Sequence, residues 1–147
     1  MIFNSHSPEE TQKIATDLAQ KIIKTKKGAV IALEGELGAG KTTFIQGFMV
    51  ALGIREKVKS PTFVLMKKYS INGGTYRGTN LYHLDCYRIS DHKDLKIPEL
   101  EEILKERGSV VFIEWAERIR EIIPKNHITV HIDHISENER KITIMGN

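Results

Sequence analysis

The sequence predicts an α/β sandwich built on a mixed sheet, and three observations lead to this fold class. Two short, continuous apolar runs, at 29–33 and 109–114, are typical of buried parallel strands. Segments whose apolar residues have helical spacing lie on either side of the first run, so strands and helices alternate early in the chain. Turn signals in the middle and near the end favour two β-hairpins. Alternating helices and strands pack as layers, and the hairpins add antiparallel strands to the sheet.

The first helix is predicted to begin after Ser7, whose hydroxyl can cap it, with Pro8 in the first helical position. Glu10 completes a capping box. Apolar residues at every fourth position from 14 to 22 form one stripe, as expected of an amphipathic helix. A run of lysines suits the C-terminal end, and Gly28 breaks the helix.

The strand at 29–33 leads through a glycine-rich loop into a second helix over 41–52, which Gly53 ends. This order of strand, loop and helix is the one that a phosphate-binding unit needs. A strand after Pro61 and a strand at 81–88 flank a turn signal, and we expect them to pair as a hairpin with a wide loop.

The second half of the chain continues the alternation. Pro98 opens a third helix, and the buried strand at 109–114 follows it. Pro124 stops a short helix. Alternating segments at 127–133 and 140–145 predict a C-terminal hairpin.

Length, composition and cysteine usage narrow the class of protein. The chain of 147 residues suits one domain, over 1–147. No apolar run nears the ~20 residues that span a bilayer, and the N-terminus lacks a signal-peptide pattern, so we expect a cytoplasmic protein without membrane contact. Cys86 is the single cysteine, which excludes a disulfide within the chain. The net charge is +3, and four lysines between 57 and 68 either contact nucleic acid or form a solvated face.

The stretch GELGAGKTTF, at 35–44, carries the clearest chemistry. It fits the pattern G-x-x-x-x-G-K-[ST] with Gly35, Gly40, Lys41 and Thr42. Glycines let consecutive N–H groups point inward, and this nest and the helix N-terminus attract a polyphosphate. Lys41 adds a charge for the terminal phosphates, and Thr42 offers a hydroxyl to Mg²⁺. The sequence therefore predicts a P-loop NTPase, a three-layer sandwich with a mixed parallel and antiparallel sheet.

Two predicted strands end in an acid, Asp85 and Glu114. Ligand sites in α/β sheets lie at the carboxyl ends of strands, so both acids are expected beside the loop. A hydrolase needs an acid for the metal and a group that positions water. We assign Asp85 to the Mg²⁺ shell, and Glu114 to Mg²⁺ or to the attacking water. Thr62, in the segment SPTF, lies where a γ-phosphate sensor is expected.

Other functions remain open from the residues alone. The absence of an N-K-x-D motif leaves guanine selectivity unsupported. A small-metabolite kinase would use Arg77 in a lid and Asp85 as its base, and a non-catalytic module would bind nucleotide only to dock a partner. The histidines at 127, 131 and 134 do not suit zinc, because the third faces away from the first two on a strand.

Four segments, GELGAGKTTF, KSPTF, YHLDCYR and IEWAER, occur in this order and together resemble the TsaE family, also called YjeE. The match covers nearly the whole chain. The resemblance implies a small bacterial ATPase, using ATP and Mg²⁺, that is needed to make threonylcarbamoyladenosine in tRNA. It also implies two partner proteins, TsaB and TsaD, and indirect contact with tRNA. TsaD is the transferase, which the ATPase would reset between turnovers.

The resemblance implies roles for individual residues. Those expected to contact ATP are Thr11, Leu37, Gly38, Ala39, Gly40, Lys41, Thr42, Thr43 and Trp115. Those expected to hold Mg²⁺ are Thr42, Asp85 and Glu114, and those expected to act in catalysis are Lys41, Thr62, Asp85 and Glu114. Glu117 and Arg140 fall near nucleotide contacts of the family. The motifs contain no obvious arginine finger, so we expect slow turnover that a partner stimulates, with Arg88 as a candidate within the chain.

Overall fold

The structure is a computed structural model, and it describes residues 1–59, 66–95 and 97–146. The strands are β1 (Ile2–Ser5), β2 (Ala29–Glu34), β3 (Met66–Ser70), β4 (Asn80–Asp85), β5 (Val110–Glu114), β6 (Ile128–His134) and β7 (Arg140–Met145). The α-helices are α1 (Pro8–Thr25), α2 (Lys41–Ala51) and α3 (Leu100–Lys105). Short 3₁₀ helices cover Gly74–Tyr76, His92–Asp94 and Ala116–Ile122.

The seven strands form one sheet in the order β1-β7-β6-β2-β5-β4-β3. The central strand β2 lies parallel to β5 and to β6, and β4 lies parallel to β5. The outer pairs β3–β4, β6–β7 and β1–β7 are antiparallel. The predicted mixed sheet and both predicted hairpins are therefore confirmed.

Helices cover both faces of the sheet. Successive side chains of each strand point to opposite faces, so each strand contributes to both helix-covered clusters. Ile31 and Phe112 pack in a cluster with α1 and α2 on one face. Ala32 and Ile113, one residue away along the same strands, pack with α3 and Ile119 on the other. This arrangement is the predicted three-layer sandwich. In the described ranges, no helix combines the length and apolar character needed to cross a bilayer.

The ends of α1 follow the predicted chemistry. The Ser7 hydroxyl accepts the Glu10 N–H at 3.1 Å, and the Glu10 carboxylate accepts the N–H of His6 at 2.6 Å. The helix ends at Thr25 because Lys26 adopts a left-handed conformation, with φ of 56°. The cap is thus a lysine rather than the predicted Gly28.

Three predicted boundaries are corrected. The strand expected to reach residue 88 ends at Asp85, because the Asp85 carboxylate accepts the N–H of Tyr87 at 3.0 Å and turns the chain. The third helix begins at Leu100 rather than at Pro98. The strand expected after Pro61 is described only from Met66, since residues 60–65 lie outside the described part of the chain. The strand β1, which pairs with β7, was not predicted.

Candidate functional site

The glycine-rich loop joins β2 to α2 and requires glycine at two positions for different reasons. Gly35 has φ of +143°, and a Cβ there would lie 2.5 Å from the carbonyl oxygen of Ile132. Gly40 is the residue before α2 and has φ of 104°. Both backbone conformations are rare for residues with a side chain. The predicted phosphate loop therefore has the tight local path that its sequence pattern indicates.

Lys41, the first residue of α2, is folded back over the loop. Its Nζ donates to the carbonyl oxygen of Gly35 at 2.6 Å and, more weakly, to that of Glu36 at 3.4 Å. The side chain also lies against Trp115, with Nζ 5.3 Å from the ring centroid. The residue is only 8% exposed. Among the described residues, no carboxylate oxygen lies within the 4.0 Å of an ion pair with Nζ.

The two predicted acids are brought together by strand register. Asp85 and Glu114 are direct partners across the parallel pair β4–β5. Burial raises the pKa of Asp85, and the neighbouring Glu114 carboxylate adds to this rise. The hydrogen bond from the Tyr87 N–H opposes it, as does the charge of Lys41. Two acids at the carboxyl ends of adjacent strands, near a buried ammonium group, form an arrangement typical of sites that bind a metal ion and phosphate groups.

The Glu114 carboxylate is hydrogen-bonded to a buried histidine, His83. Its Oε2 lies 2.7 Å from His83 Nε2, and both side chains are buried. His83 stands two residues before Asp85 on β4, so both point to the same face of the sheet. Sequence reasoning assigned no role to His83, although it is the second residue of the quoted segment YHLDCYR.

Trp115 follows Glu114 in a left-handed conformation, with φ of 58° and ψ of 43°, which is uncommon for a bulky residue. Its ring contacts the ring of Tyr87, with centroids 5.0 Å apart. The guanidinium of Arg118 lies 5.7 Å from the Trp115 ring centroid and donates to the Ile89 carbonyl. The tryptophan therefore forms a wall of the site.

These groups line a cleft of ≈ 390 Å³, which we call the loop cleft. Its lining residues are Leu37, Gly38, Gly40, Lys41, Thr42, Thr43, Asp85, Tyr87, Glu114 and Trp115. Tyr87 is the member of this set that sequence reasoning missed. The cleft thus contains most of the residues expected to contact ATP and all three expected to hold Mg²⁺.

Two of the described residues expected at the site stand apart from this lining. Ala39 is buried, and its carbonyl accepts the Arg140 Nε–H at 2.9 Å, which ties β7 to the loop. Thr11 is buried in α1, with its hydroxyl 2.7 Å from that of Ser5. Thr62 lies outside the described residues. The nucleotide roles of these three residues stay predictions.

A second cleft, of ≈ 440 Å³, opens on the other side of Trp115, and we call it the histidine cleft. Its lining includes Glu34, Asp133 and His131, and the two nitrogens of His131 lie 3.1 Å from Glu34 and 3.0 Å from Asp133. The hydrogen bond with Glu34 is the main cause that raises the pKa of His131. A larger cavity, of ≈ 890 Å³, lies at the amino ends of the strands and contains no residue of the loop.

The fold and the loop together define a P-loop protein of the α/β class. The comparisons with known proteins are more specific. The family model described as threonylcarbamoyl adenosine biosynthesis protein TsaE matches residues 5–142. A Bacillus subtilis protein named tRNA threonylcarbamoyladenosine biosynthesis protein TsaE is 43% identical over 144 residues, covering 96% of this chain and 84% of that protein. A Treponema pallidum protein of the same name is 32% identical, covering 95% and 96%.

The structural comparison agrees with the sequence comparison. A crystal structure of YdiB from Bacillus subtilis superposes with a TM-score of 0.74, at 33% sequence identity. The superposition covers 99% of this chain and 84% of that one. The chain therefore belongs to the TsaE family, the threonylcarbamoyl adenosine biosynthesis proteins.

Proposed function

We propose that this chain binds ATP with Mg²⁺ in the loop cleft and hydrolyses the nucleotide slowly, in support of the threonylcarbamoyladenosine modification of tRNA. One observation carries the proposal. Lys41 and Thr42 of the loop and the carboxylates Asp85 and Glu114 of two adjacent strands line the same cleft. A phosphate loop supplies the anion site, and strand-end acids supply the oxygen ligands that Mg²⁺ prefers.

The residues of the cleft fit the proposed ligands. A buried ammonium group that donates only to neutral carbonyls is poorly compensated, and phosphate oxygens would provide charge-assisted acceptors for Lys41. Thr42, Asp85 and Glu114 offer one hydroxyl and two carboxylates. These are hard oxygen donors, which suit Mg²⁺ rather than a softer metal.

Each side chain then has a defined task. Lys41 would exchange its carbonyl acceptors for phosphate oxygens, and Asp85 would hold a metal ligand position while its turn with Tyr87 keeps it at the strand end. Glu114 would orient the attacking water or a metal-bound water. Bound Mg²⁺ would neutralise the negative charge of the phosphates. The Tyr87–Trp115 wall would limit the access of bulk water.

Slow turnover follows from the composition of the cleft. Within the described ranges, no arginine lines it, and Arg118 lies behind Trp115 with its guanidinium bonded to a main-chain carbonyl. Arginine fingers accelerate phosphoryl transfer by ~10³–10⁵-fold and are often supplied by a partner. The proposal therefore includes stimulation by TsaB and TsaD, the partners that the family implies.

The test measures phosphate release from ATP and Mg²⁺ with no acceptor molecule added. Release that Lys41→Ala abolishes supports an ATPase, whereas transfer only to an added small molecule supports the kinase alternative. Retention of this chain on an immobilised TsaB–TsaD complex, with and without nucleotide, tests the partner proposal. Nucleotide binding without release, even with both partners present, would contradict hydrolysis.

A further inference from the structure

A buried histidine lies directly beneath the loop cleft and has no part in the proposed phosphate chemistry. His83 is 0% exposed, and its Nε2 is 2.7 Å from Glu114 Oε2. Its direct partner across β4–β5 is Phe112, a residue of the core cluster under α1 and α2. A polar ring in this apolar setting is costly unless its hydrogen bonds are satisfied.

The other ring nitrogen of His83 is unsatisfied. Within the described ranges, Nδ1 is buried and has no hydrogen-bond partner. An ionised carboxylate only accepts hydrogen bonds, so the ring contributes an N–H at Nε2. A second buried N–H at Nδ1 would be an unpaired donor, which costs more than a bare nitrogen. The geometry therefore favours the neutral ring with its hydrogen on Nε2.

The hydrogen bond with His83 makes the two carboxylate oxygens of Glu114 inequivalent. Oε2 is occupied by His83, and Glu114 is a lining residue of the loop cleft, so Oε1 is the carboxylate oxygen that remains for groups bound there. A glutamate without this partner could rotate about its side-chain torsions. A carboxylate that must orient a water molecule or a metal-bound water loses effectiveness when it moves by about 1 Å.

We propose that His83 is a positioning residue that fixes the carboxylate of Glu114 by donating from Nε2. The proposal rests on the proposed function, because it acts through the role of Glu114 in hydrolysis. Hydrogen-bond partners behind a ligating carboxylate typically change activity or metal affinity by ~10–100-fold when removed. His83 would therefore act on the rate of hydrolysis and not on the binding of nucleotide by the loop.

A matched set of variants separates positioning from packing. The side-chain nitrogen of glutamine can occupy the place of Nε2, whereas that of asparagine corresponds to Nδ1 and cannot reach Glu114. His83→Gln should keep most of the wild-type kcat for ATP, and His83→Asn and His83→Phe should lower kcat ~10–100-fold with KM for ATP unchanged. His127→Gln, at a histidine whose Nδ1 lies 2.7 Å from the Pro124 carbonyl oxygen, is the control and should leave kcat unchanged.

A second measurement does not depend on activity. Long-range ¹H–¹⁵N spectra of the wild-type protein without nucleotide should show a hydrogen on Nε2 of His83. An Nε2 without a hydrogen would overturn the proposal, as would equal kcat values for His83→Gln and His83→Asn. Thermal unfolding of every variant identifies any that fail to fold. A wild-type protein that releases no phosphate would instead overturn the proposed function, which keeps the two failures distinct.

Discussion

The loop cleft and the histidine cleft are both lined by Trp115, but they differ in whether their basic side chain is paired with carboxylates. In the histidine cleft, His131 already contacts two carboxylates, Glu34 and Asp133. In the loop cleft, Lys41 is buried and donates to main-chain carbonyls, with no carboxylate of the described residues within 4.0 Å of Nζ. The histidine cleft is slightly larger, ≈ 440 Å³ against ≈ 390 Å³. The proposed function therefore assigns the nucleotide to the cleft with the poorly compensated buried charge and not to the larger of the two clefts.

The largest expected effect is on nucleotide affinity. Lys41→Ala should lower the affinity for ATP by at least about 100-fold, because hydrogen bonds to charged groups contribute about 1.5–3 kcal/mol each. Isothermal titration calorimetry measures the change. Lys13→Ala, on the exposed face of α1, is the matched control and should bind as the wild type does. Wild-type affinity in Lys41→Ala would remove the distinction between the two clefts.

The next effect is on turnover. Asp85→Asn should lower Mg²⁺-dependent phosphate release by roughly 100-fold while part of the ATP affinity remains, because the anionic oxygen proposed to hold Mg²⁺ is lost. The amide oxygen can still accept the Tyr87 N–H, so the turn at the end of β4 is retained. Steady-state kinetics across Mg²⁺ concentrations provide the measurement. Unchanged turnover would exclude Asp85 from the metal shell.

A smaller effect concerns the path of the loop between the clefts. Gly35→Ala places a Cβ 2.5 Å from the Ile132 carbonyl oxygen, whereas a Cβ at Gly38 would meet no atom within 4 Å. Both positions have positive φ, so alanine at Gly38 should cost about 1–2 kcal/mol and alanine at Gly35 clearly more. Urea unfolding measures both. Equal losses would show that the loop adapts around residue 35.

The smallest expected effect is confined to the histidine cleft and depends on pH. Because the pKa of His131 is raised in the folded chain, mainly by its hydrogen bond with Glu34, the charged ring stabilises the fold. This contribution is complete below the ordinary pKa of a histidine and is lost as the pH rises through the raised value. His131→Gln should therefore lower Tm at acidic pH and have little effect at alkaline pH. A difference in Tm that grows with pH would contradict this sign.

Local chemistry explains why the loop was predictable. The glycine positions, Lys41 and Thr42 lie within one short segment, and a phosphate loop is specified by that segment alone. The helix start at Ser7 was predictable for the same reason, since its capping partner is three residues away. The two acids could be predicted to lie close together because the carboxyl ends of parallel strands meet at the same end of the sheet.

Contacts set by strand register explain what the sequence did not predict. The His83–Glu114 bond joins residues 31 positions apart and depends on how β4 aligns with β5. The pairing of β1 with β7 spans nearly the whole chain, and four residues are too few for a strand pattern. The contact between the Thr11 and Ser5 hydroxyls is another that no local pattern indicates.

Amide spectra during titration with a non-hydrolysable ATP analogue and Mg²⁺ test most directly where the anion binds. The account predicts that the largest shifts fall on residues 38–43 and on Asp85, Glu114 and Trp115, while Glu34, His131 and Asp133 change little. Shifts concentrated on the histidine cleft, with the loop amides unmoved, would contradict it.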